Sequence, residues 1–182
     1  MKSLRIPHNV EVVCTHVSSQ THMRVSGLYG SSTLSLTNYD PKGMCILKTT
    51  DAHIHIAARS SHPKAQALVS TLTSLLRQRI DGVARGYLLY LDLVGVGFRA
   101  EMLDASTLDV KVGKSHPIQV HVPKDIRAVC VKPTRICMYG VDVQSVSHFA
   151  ADIKRLCPIE PYKGKGIRFV DEHVLRKEGK KK

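Results

Sequence analysis

Only two stretches of this chain carry the three- and four-residue spacing of apolar side chains with which a helix buries one face. The first follows Ser61-His62-Pro63 and places Ala65, Leu68, Val69, Leu72, Leu75, Leu76 and Ile80 on one stripe up to Gly82. Ser61 or His62 can cap it, and Pro63 suits a first turn, where a missing N–H costs nothing. The second follows the N-cap Asp142 and aligns Val143, Val146, Phe149, Ala150, Ile153 and Leu156, with Lys154 and Arg155 near its C-terminal end and Pro158 as its stop. Most of the remainder reads as short alternating strands between Gly, Pro, Asn and Asp, at 10–14, 44–49, 53–58, 88–100, 108–112, 118–122 and 135–139. Each helix comes after a run of strands instead of alternating with them. The expected class is therefore α+β, with antiparallel or mixed sheets and a helix packed on one face, and a parallel α/β sheet is disfavoured.

The glycines from Gly82 to Gly86 divide the 182 residues into an expected N-terminal domain, 1–85, and C-terminal domain, 86–182. Each half then owns one helix and one set of strands. Ile6-Pro7-His8-Asn9-Val10-Glu11-Val12-Val13-Cys14 lines up without gaps against Val122-Pro123-Lys124-Asp125-Ile126-Arg127-Ala128-Val129-Cys130, and after each comes a strand ending at Gly27 or Gly140. Such an echo raises the prospect of two related domains, although nine residues can match by chance.

Charge narrows the partner. Lys and Arg number 27 against 15 Asp and Glu, a net +12 with His neutral. The excess is even: 10 cations against 4 acids in residues 1–86, and 17 against 11 after them. A chain this positive suits a polyanion, either nucleic acid or an anionic membrane surface. The longest purely apolar runs, such as 93–97, are far below the roughly 20 residues of a spanning helix, which disfavours the membrane. Five irregularly spaced cysteines without a secretory signal argue for free thiols in a reducing compartment. The first residues run quickly into a strand-like pattern, with no long Arg-rich transit stretch.

Motifs that suggest chemistry have plainer readings. Gly95-Val96-Gly97-Phe98-Arg99-Ala100 matches the dinucleotide fingerprint and supports, as the alternative, a nucleotide-dependent enzyme; however, residues 101–106 read as a turn leading into another strand, with no helix N-terminus to receive phosphate. His53 and His55 share one face of a strand without a third metal ligand, so they are expected to face solvent or RNA. Ser115-His116-Pro117 reads as a hairpin corner, with no carboxylate set to orient the histidine. No catalytic residue, cofactor, metal or small-molecule substrate is expected.

The C-terminus is distinctive. Glu160-Pro161-Tyr162-Lys163-Gly164-Lys165-Gly166-Ile167-Arg168-Phe169 alternates cations with glycines beside aromatics, and the chain closes with Lys180, Lys181 and Lys182. Residues 158–182 are expected to form a basic arm past the last helix, where no core needs them. Glycine lets phosphate approach the backbone, Lys and Arg neutralise it, and Tyr162 can stack on a base.

Taken with Leu93-Val94-Gly95-Val96-Gly97-Phe98-Arg99-Ala100, Ser115-His116-Pro117 and Phe149-Ala150-Ala151-Asp152-Ile153-Lys154, the element Pro161-Tyr162-Lys163-Gly164-Lys165-Gly166-Ile167-Arg168-Phe169 resembles the universal sixth protein family of the large ribosomal subunit, in its bacterial and organellar branch. The likeness covers 86–182 nearly continuously; the first 85 residues match through Ile6-Pro7, Gly27 and the helix before Gly82. The chain departs from the family with Ile159 before the acidic position and with Leu28-Tyr29-Gly30 at the first domain's turn. The wording around Cys130, Cys137 and His148-Phe149 is similar to the plant and green algal mitochondrial version. This resemblance implies two similar α+β domains and a non-catalytic structural protein. Its implied partners are large-subunit rRNA, near the sarcin-ricin loop and factor-binding centre, and neighbouring large-subunit proteins, in a mitochondrial ribosome, with bacterial cytoplasm or plastid as alternatives. The residues expected to meet rRNA are Ser115, His116, Tyr162, Lys163, Gly164, Lys165, Gly166, Arg168, Lys180, Lys181 and Lys182. In a thermal-shift measurement, a fragment of large-subunit rRNA should raise the melting temperature and ATP or NAD should leave it unchanged.

Overall fold

The structure, a computed structural model, describes residues 2–17, 20–50 and 52–179. The chain divides into two compact units, Met1–Gly86 and Tyr87–Lys182.

The first unit contains the strands β1 (Lys2–Arg5), β2 (Val10–Val17), β3 (Gln20–Gly27) and β4 (Gly30–Ser35), a single helical turn α1 (Leu36–Tyr39), β5 (Cys45–Thr49), β6 (His53–Ala58) and the long helix α2 (Pro63–Arg85). Its strands form two antiparallel sheets, ordered β1-β6-β5 and β2-β3-β4. Period-two alternation decides which side is buried: Leu4, Ile54 and Ile56 point inward from the first sheet, and Met23, Val25 and Leu34 from the second. Helix α2 closes both with Ala65, Val69, Leu72, Leu76, Ile80 and Val83. His62 caps it, its Nδ1 accepting from the Lys64 N–H at 3.2 Å, with Pro63 in the first turn. The helix passes through Gly82 and stops at Gly86, whose φ of 73° continues no right-handed turn.

The second unit contains β7 (Tyr87–Val94), β8 (Arg99–Asp104), β9 (Thr107–Lys111), β10 (Ile118–His121), β11 (Ile126–Lys132), β12 (Arg135–Gly140), α3 (Val143–Leu156) and β13 (Gly166–Phe169). Again there are two antiparallel sheets, β10-β9-β8 and β11-β12-β7-β13, over one core. Asp142 caps α3, its Oδ1 accepting from the Gln144 N–H at 3.0 Å, and Val146, Phe149, Ala150 and Ile153 are the buried stripe.

The sequence echo marks a repeated piece of architecture. Ile6 donates its N–H to Ala52 O and Val122 its N–H to Ser106 O, each tying the chain to the start of the central strand of one sheet. Pro7 O then accepts from Val10 N at 3.1 Å, and Pro123 O from Ile126 N at 3.0 Å, turning the chain into β2 and β11. Val10 pairs with Gly27, and Ile126 with Gly140. Both glycines lie under a helix valine: a Cβ on Gly27 would stand 2.6 Å from Val83 Cγ1, and one on Gly140 2.6 Å from Val146 Cγ2. The pairing of three strands in each sheet is shared, with β13 added beside β7 in the second unit, while the chain visits the strands in a different order.

Two segments depart from expectation. The single strand 88–100 is two, because the backbone reverses between them: Gly97 has φ 76°, and Phe98 folds its ring back over Gly95, where a Cβ would lie 2.9 Å from it. The segment after α3 is no free arm. Its residues Gly166–Phe169 are β13, paired with β7, and Ile167 is fully buried in the core. Leu72→Ala, Ile153→Ala and Ile167→Ala should each cost about 2–5 kcal/mol in denaturant unfolding, by lost burial and a residual cavity.

Candidate nucleic-acid interface

Strand register gathers three loops of the second unit. Val94 pairs with Gly166, so the segment 95–98 leaves the sheet beside the residues that lead into β13. Arg99 pairs with Lys111, which brings the 112–117 turn alongside the start of β8. Phe98 joins them: its ring lies under Gly95, and a Cβ on Gly113 would touch the same ring at 3.4 Å. Gly113 has φ 71°, so the turn before Ser115 needs a residue without a side chain.

The loop 160–165 is held by its own backbone. The Glu160 N–H donates to Lys165 O at 2.8 Å and the Gly164 N–H to Glu160 O at 3.0 Å, while the Ile167 N–H reaches Cys157 O. Gly164, at φ 70°, lies beneath the Arg176 guanidinium, and Gly166, at φ 139°, has no room for a Cβ, which would stand 2.8 Å from Pro158 O and Ile159 Cα. Both glycines are buried. Their placement shapes the loop, and it leaves Tyr162, 56% exposed, and the exposed Lys163 and Lys165 on the outside.

Ser115 and His116 are exposed in the neighbouring turn, with Lys114 beside them, a cation that sequence alone places only at a hairpin corner. Arg168 sits elsewhere. It lies on the outer face of β13 across from Asp92, half-buried, with its Nε unpartnered among the described residues. Lys180, Lys181 and Lys182 fall outside the described residues.

Charge pairing divides the cations of this unit. Arg135 forms a two-pronged pair with Asp92 at 2.7 and 3.1 Å, Lys154 grips both oxygens of Glu172, and Arg155 meets Asp152 at 2.9 Å. The first two fasten elements to each other, and the third lies within α3. Among the described residues no ion pair engages Lys114, Lys163 or Lys165, and Glu160 is the single acid in 158–165.

The motifs with a chemical reading are placed as follows. Gly95-x-Gly97-x-x-Ala100 leads into strand β8, Ala100 is buried, and its N–H is spent on Pro133 O at 2.8 Å, so no helix N-terminus follows the glycines to receive a phosphate. Burial pushes the Cys45 and Cys130 thiols up, away from the thiolate that a nucleophile or metal ligand requires, with Asp40 and Glu101 adding to the effect. Among the described residues no three His, Cys, Asp or Glu side chains are placed to share a metal.

The chain is similar to known proteins along nearly its whole length. A family profile described as Ribosomal protein L6 matches residues 94–170. Over 98% of this chain and 95% of the relative, the sequence is 33% identical to the large ribosomal subunit protein uL6m of Prototheca wickerhamii. It is 36% identical to uL6 of Nitrosococcus oceani over 97% of the chain and 94% of the relative. It is 40% identical to uL6 of Rhodopseudomonas palustris (strain BisB5) over 75% of the chain and 76% of the relative.

The clasp behind the loops carries a pH signature. Hydrogen bonds from Lys154, and a further one from the Phe169 N–H, hold the Glu172 carboxyl below its ordinary value of 4.5. A lowered value in the folded state means that the contribution is present above the ordinary value and is lost as pH falls through the folded one. Glu172→Gln should therefore lower stability at neutral pH and flatten its decline below about pH 4.5, read by denaturant unfolding across an acid series.

Proposed function

The chain belongs to the uL6 family of large ribosomal subunit proteins, structural components and not enzymes, and from that premise we propose that it holds large-subunit rRNA through the three converging loops of its second unit. The observation that carries this reading is the contrast between clasped and unclasped cations. Arg135, Lys154 and Arg155 are neutralised by acids of the fold, whereas Lys114, Lys163 and Lys165 meet solvent at one end, with no ion pair among the described residues. Unneutralised cations on a rigid loop suit phosphate, which releases its counterions when they bind.

In this reading Lys163 and Lys165 are phosphate partners, Lys114 joins them, and Ser115 and His116 donate hydrogen bonds from the adjacent turn. Tyr162 offers an exposed ring for stacking. Gly164 and Gly166 act indirectly, by permitting a loop geometry that a side chain would destroy. Arg168 contributes from the sheet face, and Lys180, Lys181 and Lys182 add charge at the chain's end. The rRNA held is the region near the sarcin-ricin loop and factor-binding centre, with neighbouring large-subunit proteins as further partners. A mitochondrial ribosome is the compartment favoured by the Cys- and His-rich wording and by the likeness to an algal uL6m; cosedimentation with mitochondrial, and not plastid or bacterial, large subunits tests it.

Lys163→Ala combined with Lys165→Ala should weaken binding to a cognate rRNA fragment and make the slope of log affinity against log salt shallower by about one to two units. Folding should be unchanged, since both side chains are exposed. Unchanged affinity and slope would remove the loop from the interface.

A further inference from the structure

The outer face of the β1-β6-β5 sheet in the first unit has a composition that packing does not explain. Antiparallel partners share a face, so the register places Ser3, His55 and Lys48 in one row and Arg5 with His53 in the next. Leu4, Ile54 and Ile56 take the opposite face and fill the core. Arg5, Ser3 and Lys48 are exposed, and the two histidines are half-buried. Their rings stack with centroids 6.1 Å apart, and the Nδ1 of His55 is buried without a hydrogen-bond partner among the described residues. None of the three strands contains an Asp or Glu; Asp51, between β5 and β6 in sequence, lies outside the described residues.

Two imidazoles two residues apart on a strand suggest a metal, but their flanks decide otherwise. Arg5 stands across from His53 and Lys48 across from His55, so a metal cation would be repelled from both sides, and no third ligand is present among the described residues. The same arrangement attracts an anion: two permanent cations one strand spacing to either side of a pair of ring N–H donors. We propose that this face is a second phosphate-binding surface, which seats the sugar-phosphate backbone of large-subunit rRNA on the first unit. The proposal rests on the chain's being an rRNA-bound component, and it is independent of which residues of the second unit touch RNA. A polyanion fits better than a single free phosphate because the cations are spread over two rows of three strands and do not converge on one point.

The test uses the full-length protein and in vitro transcribed large-subunit rRNA, with affinity measured across a salt series. Arg5→Gln with Lys48→Gln should make the log–log slope shallower by about two units, one for each lost phosphate contact. Arg5→Lys with Lys48→Arg, which keeps the charge, should retain the parent slope. The Lys163→Ala, Lys165→Ala variant should lose its own share, and all four substitutions together should lose the sum. A parent-like slope for the Gln pair would overturn the proposal, as would an equal loss for the charge-keeping pair, which would mark a structural role. If the Gln pair binds rRNA normally but fails to retain a neighbouring protein in the assembled subunit, an acidic protein surface occupies this face and the proposal is again overturned. If the Lys163, Lys165 variant is silent while the Gln pair weakens, the loop reading fails and this one stands.

Discussion

The contact on which both halves of the molecule depend is the approach of a helix valine to a strand glycine. Val83 meets Gly27 and Val146 meets Gly140, at distances that leave no space for a Cβ. Helix α2 covers both sheets of the first unit and α3 covers the β11-β12-β7-β13 sheet of the second, and each comes in closely where β3 or β12 carries a glycine. The reward is a dense core: Leu72, Leu76 and Ile80 in one unit, Phe149, Ala150 and Ile153 in the other, each almost or wholly removed from water. Any side chain at either glycine would push the helix off the sheet beneath it, a change that repacking cannot absorb because the neighbouring atoms include backbone carbonyls of Asn9 and Asp125.

That close packing also explains why the loops can be exposed and still well defined. In the second unit β13 is only four residues long, yet Ile167 is anchored in the core and β7 supplies its hydrogen-bonded partner. Lys154 and Glu172 clamp the chain as it leaves β13, with the Lys154 ammonium also 5.0 Å from the centre of the Phe169 ring. With both ends of the segment tethered, Gly164 and Gly166 set a loop whose cations have nowhere to fold back. The cations that clasp the fold and those without an ion pair among the described residues are thus different residues, separated by whether an acid of the fold lies within reach.

Much of this is legible in the residues. The stripes of Val69, Leu72 and Leu76, and of Val146, Phe149 and Ile153, announce one-sided helices because 3.6-residue periodicity is a local property. The caps His62 with Pro63, and Asp142, are equally readable, since capping involves atoms two or three residues apart. The resemblance carried by 161–169 identifies the family without any coordinates. The strand inside that motif is masked even though Ile167-Arg168-Phe169 alternates as strands do: the surrounding Lys and Gly dominate its composition, and four residues are too few for a periodic signal. The break at Gly95–Phe98 is hidden for a related reason, because an aromatic ring folding over a glycine two or three residues away looks, in sequence, like one more alternating pair.

By itself, then, the sequence determined the α+β class, the two helices with their buried faces, the surplus of positive charge and the family. These depend on spacing and composition along the chain. Tertiary structure alone decided which cations are free of ion pairs, that Gly164 and Gly166 serve the loop's own geometry, that Ser115 and Lys163 share one end of a unit, and that Arg5, His53, His55 and Lys48 form one surface. Those facts depend on strand register and on which acid comes within hydrogen-bonding distance of which base. Both can join residues far apart in sequence, as Arg135 and Asp92 are, 43 positions apart, and no local pattern encodes such a pair.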